Sequence, residues 1–78
     1  EIVLNGIVRF IDMKERLIYI DVKSADCNRQ KVFRFNDQNA AWVGKLMVGQ
    51  ELRFATDQLK CSDQSISLFI PEVPGGKK

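Results

Sequence analysis

The stretch GIVRFIDMKERLIYIDV, residues 6–22, decides how the chain folds, because it predicts two β-strands joined by a short charged connector. Its first part continues a run that begins at Ile2 and is rich in β-branched and aromatic residues without a helical period. In its second part the aliphatic residues Ile18, Ile20 and Val22 occupy alternate positions. Since successive strand side chains point to opposite faces, we expect these three in the core and their neighbours on the outer face.

Three further strands and one helical turn are predicted after this stretch. The strands cover residues 31–35, 51–55 and 66–70, and the helical turn lies within residues 40–46. Gly6, inside the first strand, predicts a bulge or a sharp bend of the kind that small barrels need. Closure into a barrel removes the exposed edges of so small an all-β chain. We therefore predict an all-β fold, a five-stranded barrel of the OB-fold type with a short helical turn between strands 3 and 4. An SH3-like barrel is the structural alternative.

The composition excludes several classes of enzyme and metal site. The chain has 78 residues, a net charge of +2 and no histidine. It therefore cannot build a Ser-His-Asp or Cys-His catalytic site, or a zinc site that uses histidine. The two cysteines are too few for a four-cysteine site, and the sequence has neither a Walker-type phosphate loop nor a nucleophile elbow. We predict a protein that is not an enzyme and that uses no metal or cofactor.

The two ends of the chain bear on its cellular setting. No apolar run approaches the ~18 residues of a membrane span, and the start lacks the pattern of a signal peptide. We therefore predict a cytoplasmic protein without membrane contact. The first residue is not Met, which suggests a domain of a longer chain. Residues 1–70 are predicted to form the barrel and residues 71–78 a mobile C-terminal tail or linker.

Cys27 and Cys61 lie in polar segments that resemble turns. In a secreted chain a disulfide between them is conceivable. Because a single bridge does not make a disulfide scaffold, the sequence favours two free thiols in a reducing compartment.

Three segments, in order, resemble the cold-shock domain family. Residues 6–20, GIVRFIDMKERLIYI, align without a gap with that family's G-x-V-K-W-F-N-x-x-K-G-F-G-F-I motif. Residues 31–35, KVFRF, resemble its V-F-V-H-F motif, and residues 46–54, LMVGQELRF, resemble the L-x-x-G-Q-x-V-x-F entry to its fourth strand. The resemblance covers residues 5–70. It implies a five-stranded OB barrel that binds single-stranded RNA or DNA, with bases stacked on aromatic residues and basic side chains along the phosphates.

Carried over position by position, the resemblance implies a binding surface with fewer aromatic residues than the family has. Phe10 stands at the Trp position, Tyr19 at an aromatic position, and Arg9 at a basic position. Leu17 replaces a Phe, and Arg16 replaces a Gly. The predicted nucleic-acid-binding residues are Arg9, Phe10, Arg16, Leu17, Tyr19, Lys31 and Arg34.

The third strand allows two registers. In the first, Phe33 and Phe35 are base platforms and Arg34 lies in the core, where its charge has no evident partner. In the second, Phe33 and Phe35 point inward, and Val32 and Arg34 lie on the binding face. The alternation of strand side chains favours the second. Trp42 lies near a loop position where the family has a further aromatic residue, and we expect it to be a core anchor.

These features predict a weak or altered single-stranded RNA-binding module of a larger protein that regulates RNA after transcription, for example at translation. Single-stranded DNA is a possible second ligand, and neighbouring domains or a protein partner are expected beside it. The alternative is a protein-interaction or spacer module on an OB scaffold that has lost nucleic-acid binding. Glu15, which reverses a charge of the motif, and the apolar Leu17, Ile18 and Val32 favour that alternative.

Overall fold

A computed structural model describes residues 2–71, which form one six-stranded sheet and one short helical segment. The elements are β1 (Ile2–Asp12), β2 (Leu17–Val22), β3 (Gln30–Arg34), a 3₁₀ turn (Asp37–Asn39), α1 (Ala40–Val43), β4 (Glu51–Thr56), β5 (Ser67–Leu68) and β6 (Ile70–Pro71). The strand order is β5-β3-β2-β1-β4-β6. All neighbouring pairs are antiparallel except β3 and β5, which run parallel.

The two outermost strands of this sheet are consecutive in the chain, with only Phe69 between them. β5 pairs with β3 at one end of the strand order, and β6 pairs with β4 at the other. The sheet must therefore curl until its two ends meet at Phe69, whose N–H donates to the carbonyl of Arg34. The predicted small all-β, barrel-like fold is confirmed at this level. The predicted fifth strand is instead divided into two, because its halves bond to opposite ends of the sheet.

The core lies inside the curled sheet and contains the side chains that alternation predicts. Ile18, Ile20 and Val22 of β2 are fully buried, and Leu52 and Phe54 of β4 are buried as well. Phe33, Phe54 and Phe69 form a chain of ring contacts, with centroids 4.9 Å and 5.4 Å apart along it. Trp42 packs partly buried against Phe69, which agrees with its expected role as a core anchor.

Gly6 is needed for a close approach of strands and does not form the predicted bulge. A Cβ atom at this position would lie 2.4 Å from Cγ2 of Ile20 and 2.8 Å from the carbonyl oxygen of Asp21. The register of β1 against β2 shifts further along, between Val8 and Phe10. The bulge therefore falls beside Arg9, where it changes which β1 side chains face outward.

The predicted helical turn between the third and fourth strands is confirmed. Asn36 begins it as an N-cap, its Oδ1 accepting the N–H of Asn39. Gly44 follows the single helical turn of α1 directly. After it, the carbonyl of Gln50 accepts the N–H of Val8, and the N–H of Gly49 donates to the carbonyl of Val8, which ties the turn at residues 47–50 to β1.

Cys27 and Cys61 form a disulfide, so the expectation of two free thiols is wrong. Their Cα atoms are 5.5 Å apart, which is the usual separation for a bridged pair. The bond joins the loop after β2 to the loop after β4. Two cysteines 34 positions apart give no sign of such proximity in the sequence, because only the sheet topology brings the two loops together. The predicted cytoplasmic location stays a prediction, and a bond of this kind is rare there.

No helix in residues 2–71 is long and apolar enough to cross a membrane. Pro71 pairs with Phe54 as part of β6, so the predicted tail does not begin before residue 72. The rest of that predicted tail lies outside the described residues.

Candidate functional site

The outer face of β1, β2 and β3 carries a row of three apolar side chains. In the strand registers, Phe10 lies opposite Tyr19, and Tyr19 lies opposite Val32. The rings of Phe10 and Tyr19 meet edge to face, with centroids 5.5 Å apart and an interplanar angle of 64°. Phe10 is 54% exposed although it is a large apolar residue. Tyr19 is half-buried, so the pair presents one exposed and one partly exposed aromatic ring to solvent.

A second row runs beside the first, two residues further along the strands. It consists of Asp12, Leu17, Arg34 and Leu68, each opposite the next across β1, β2, β3 and β5. Leu17 is half-buried, whereas Arg34 is exposed. At ~3.3 Å per residue the two rows are about 7 Å apart. Together they form one continuous surface, called here the outer face.

The register that the sequence favours for the third strand is confirmed. Phe33 and Phe35 are almost completely buried, and Val32 and Arg34 lie on the opposite side of the sheet. Strand side chains alternate between the two faces of the sheet, so the other register would bury the guanidinium of Arg34 and expose two phenyl rings.

Arg9 lies on the outer face but is bound to a carboxylate. Its Nε donates to Oδ2 of Asp21 at 2.6 Å, and the two side chains are 48% and 23% exposed. Ile7 lies opposite Asp21, so this ion pair borders the aromatic row at the end away from Arg34. The carboxylate offsets much of the charge that Arg9 could offer to a phosphate.

Arg16 is also engaged within the protein. Its Nε donates to Oδ1 of Asp37 at 2.8 Å, and its Nη1 donates to the carbonyl of Met13. Its backbone has φ of 60°, the left-handed conformation that glycine adopts most readily. The resemblance aligns this position with a family glycine, the residue type for which this conformation costs least.

Lys31 does not belong to the outer face, which corrects its prediction as a phosphate contact. It lies opposite Ile20 on the inner side of the sheet and is only 5% exposed. Its ammonium donates to the carbonyls of Lys60 at 2.8 Å and of Asp63, and reaches that of Cys61 at 3.5 Å. These carbonyls belong to the loop at residues 57–66, so Lys31 holds that loop against the sheet.

Of the predicted site residues, the structure brings Arg9, Phe10, Leu17, Tyr19 and Arg34 together on one surface. It places Arg16 at the border, in the connector between β1 and β2, and Lys31 inside. Leu68 is part of the same surface but is not among the predicted site residues, because the sequence does not show that its strand pairs with β3. Within residues 2–71 no group of three or more His, Cys, Asp or Glu side chains is placed to hold a metal ion.

Comparisons with protein-family models, with curated proteins and with solved structures returned no match to this chain.

Proposed function

We propose that this protein is a weak single-stranded RNA-binding module of the OB-fold, cold-shock type, carried by a larger protein. The observation that supports this proposal is the exposed ring of Phe10 in contact with the half-buried ring of Tyr19, with Arg34 beside them on the outer face. Single-stranded nucleic acids bind to such surfaces because every base has a π-face that stacks on an aromatic ring. Each stacked base contributes about 1–3 kcal/mol, so two rings are enough for a measurable but modest affinity.

The charges around the outer face favour low affinity. Asp21 offsets Arg9, and Asp37 pairs with Arg16. Lys31 is buried. Arg34 forms no ion pair with the other residues of the described chain, so its guanidinium can stack on a base or contact a phosphate. With so few available cations, the affinity of the larger protein would depend on additional RNA-binding domains linked to this one.

Removal of either ring tests the proposal. We expect Phe10→Ala and Tyr19→Ala each to weaken the binding of a single-stranded RNA hexamer about tenfold or more, since one stacking platform is lost. Binding is measured by fluorescence anisotropy, and the site is mapped from ¹H–¹⁵N chemical shifts of the β1–β3 amides. Val3→Ala is the matched control, because Val3 is an exposed aliphatic residue of the same strand, about 20 Å from Phe10.

The proposal fails if high-micromolar RNA leaves the amides of β1, β2 and β3 unshifted. It also fails if the two ring variants bind as tightly as Val3→Ala does. Either result shows that Phe10 and Tyr19 serve another purpose.

A second candidate function, a protein-interaction module, is favoured by one specific feature. Met47 and Val48 are 71% and 66% exposed at the tip of the 47–50 turn. This turn is held by the Gln50 N–H to Met47 carbonyl bond and by the Met47 N–H bond to the Gln50 side chain. Adjacent exposed apolar residues favour a contact with a protein when they belong to a contiguous apolar patch. If RNA binding fails the test above, this candidate replaces it.

A further inference from the structure

The outer face continues past Arg34 into an open groove at the edge between β3 and β5. The groove encloses about 240 Å³ and is lined by Arg34, Asp57, Ile66, Ser67 and Leu68. Ile66 and Leu68 are both exposed large apolar residues. Leu68 lies opposite Arg34 in the parallel pair, so the groove has an apolar wall beside a guanidinium.

One carboxylate is fixed at this groove. Oδ1 of Asp57 accepts the N–H of Leu68 at 3.1 Å and the N–H of Gln58 at 2.9 Å, and it shares the hydroxyl of Thr56, at 3.3 Å, with the carbonyl of Gln58. All three donors go to the same oxygen, so Oδ2 keeps its capacity to accept from a ligand. The hydrogen bond from the Leu68 N–H stabilises the charged form of Asp57 and contributes most to lowering its pKa. The carboxylate is therefore ionised at neutral pH.

We propose that this groove is a subsite for a guanine base of the bound strand, with Oδ2 of Asp57 accepting from the base and Arg34 and Leu68 stacking on it. This inference rests on the proposed RNA-binding function and adds a base preference to it. The groove adjoins the row that contains Leu17 and Arg34. This row lies about 7 Å from the row of Phe10 and Tyr19, so one RNA strand can contact the two aromatic rings and the groove together.

Guanine fits a fixed, ionised carboxylate better than the other bases do. Its Watson–Crick edge presents two neighbouring donors, N1–H and N2–H, and an ionised carboxylate only accepts. Adenine and cytosine each place an acceptor nitrogen beside their amino group, and uracil places a carbonyl on both sides of its single N–H. Those acceptors would lie against a negative charge. The guanidinium of Arg34 provides a planar cation on which the base can stack, as is common in RNA recognition.

The base preference is tested with three RNA hexamers, UUGUUU, the same sequence with inosine in place of guanine, and UUUUUU. Inosine lacks only the N2 amino group. We expect the guanine hexamer to bind at least about tenfold more tightly than either of the others, which corresponds to the lower end of the range for a hydrogen bond to a charged group. We also expect the Leu68 amide to shift with the guanine hexamer and to shift less with UUUUUU.

Asp57→Asn is the decisive variant. Asparagine keeps Oδ1 to accept the N–H groups of Leu68 and Gln58 but replaces Oδ2 with an amide donor. We expect this variant to stay folded, to bind UUUUUU as tightly as Asp63→Asn does and to lose the preference for guanine. Asp63→Asn is the matched control, because it removes the same charge from the same loop while keeping the bonds that Oδ1 accepts from Ser65.

The inference is overturned if guanine and inosine hexamers bind equally, or if Asp57→Asn keeps the guanine preference. It is also overturned if Asp63→Asn removes the preference as completely, since the effect then belongs to overall charge. Failure of the proposed function looks different: none of the three hexamers binds, or Phe10→Ala and Tyr19→Ala bind them unchanged.

Discussion

Two cations of the same strand, Lys31 and Arg34, have opposite environments and therefore different roles. The ammonium of Lys31 is buried against loop carbonyls, and the guanidinium of Arg34 lies on the outer face. Removal of a buried donor leaves its acceptors without a hydrogen-bond partner, which lowers the free energy of unfolding by about 1–3 kcal/mol. An exposed arginine contributes little to stability but can interact with a base or a phosphate.

Substitution by methionine separates these roles. We expect Lys31→Met to lower the free energy of unfolding by about 1–3 kcal/mol and to leave RNA affinity within about twofold. Arg34→Met should change stability by no more than about 0.5 kcal/mol and weaken RNA binding by about threefold to thirtyfold. Urea denaturation and fluorescence anisotropy measure the two quantities on both variants, so each variant is the control for the other. If Lys31→Met is folded but binds RNA more weakly, Lys31 contacts a phosphate after all, as the sequence predicts.

At the scale of elements, the loop at residues 57–66 depends on bonds that are distant in sequence. The Cys27–Cys61 disulfide fixes it at one point, and Lys31 and Arg29 fix it through its carbonyls. A disulfide stabilises a fold mainly by limiting the freedom of the unfolded chain, and the effect grows with the length of the closed loop.

Reduction of the disulfide should therefore destabilise the chain. The separation of 34 residues corresponds to about 4 kcal/mol in the loop-entropy relation. We expect the urea midpoint to fall accordingly when the chain is treated with a phosphine reductant. The Cys27→Ala/Cys61→Ala variant is the control, because its midpoint should not respond to the reductant. An unchanged midpoint in the original chain, with both thiols shown to be reduced, would contradict this assignment of stability.

The elements that the sequence predicts correctly are those with local patterns. Alternation in β2 and β3 predicts which side of each strand is buried and that Arg34 points outward, and residues 40–46 predict the helical turn. The features that it misses depend on contacts between distant segments. Lys31 occupies an inner position because the 57–66 loop supplies carbonyls to its ammonium, and the amide of Leu68 holds the carboxylate of Asp57 in place. A charged residue in an alternating strand predicts exposure unless such partners are known.

At the scale of the whole molecule, the charge distribution should limit the electrostatic part of RNA binding. The chain has a net charge of +2, with 12 basic and 10 acidic residues. On the outer face, Asp21 offsets Arg9, so Arg34 is the main cation in reach of a bound strand. The logarithm of the binding constant for a single strand falls with the logarithm of salt concentration by about 0.7 for each phosphate neutralised.

Salt dependence therefore measures how many cations the outer face uses. The binding constant of an RNA hexamer is measured between about 50 and 200 mM salt. For one or two phosphate contacts we expect its logarithm to change with the logarithm of salt concentration with a slope between about −0.7 and −1.4. Asp21→Asn should steepen the slope by up to about 0.7, because Arg9 is then released from its ion pair. Asp26→Asn, which removes a charge from the loop after β2, is the control and should leave the slope unchanged. A slope steeper than about −3 in the original chain would mean that RNA follows a basic path elsewhere on the molecule, and the outer face would lose its assigned role.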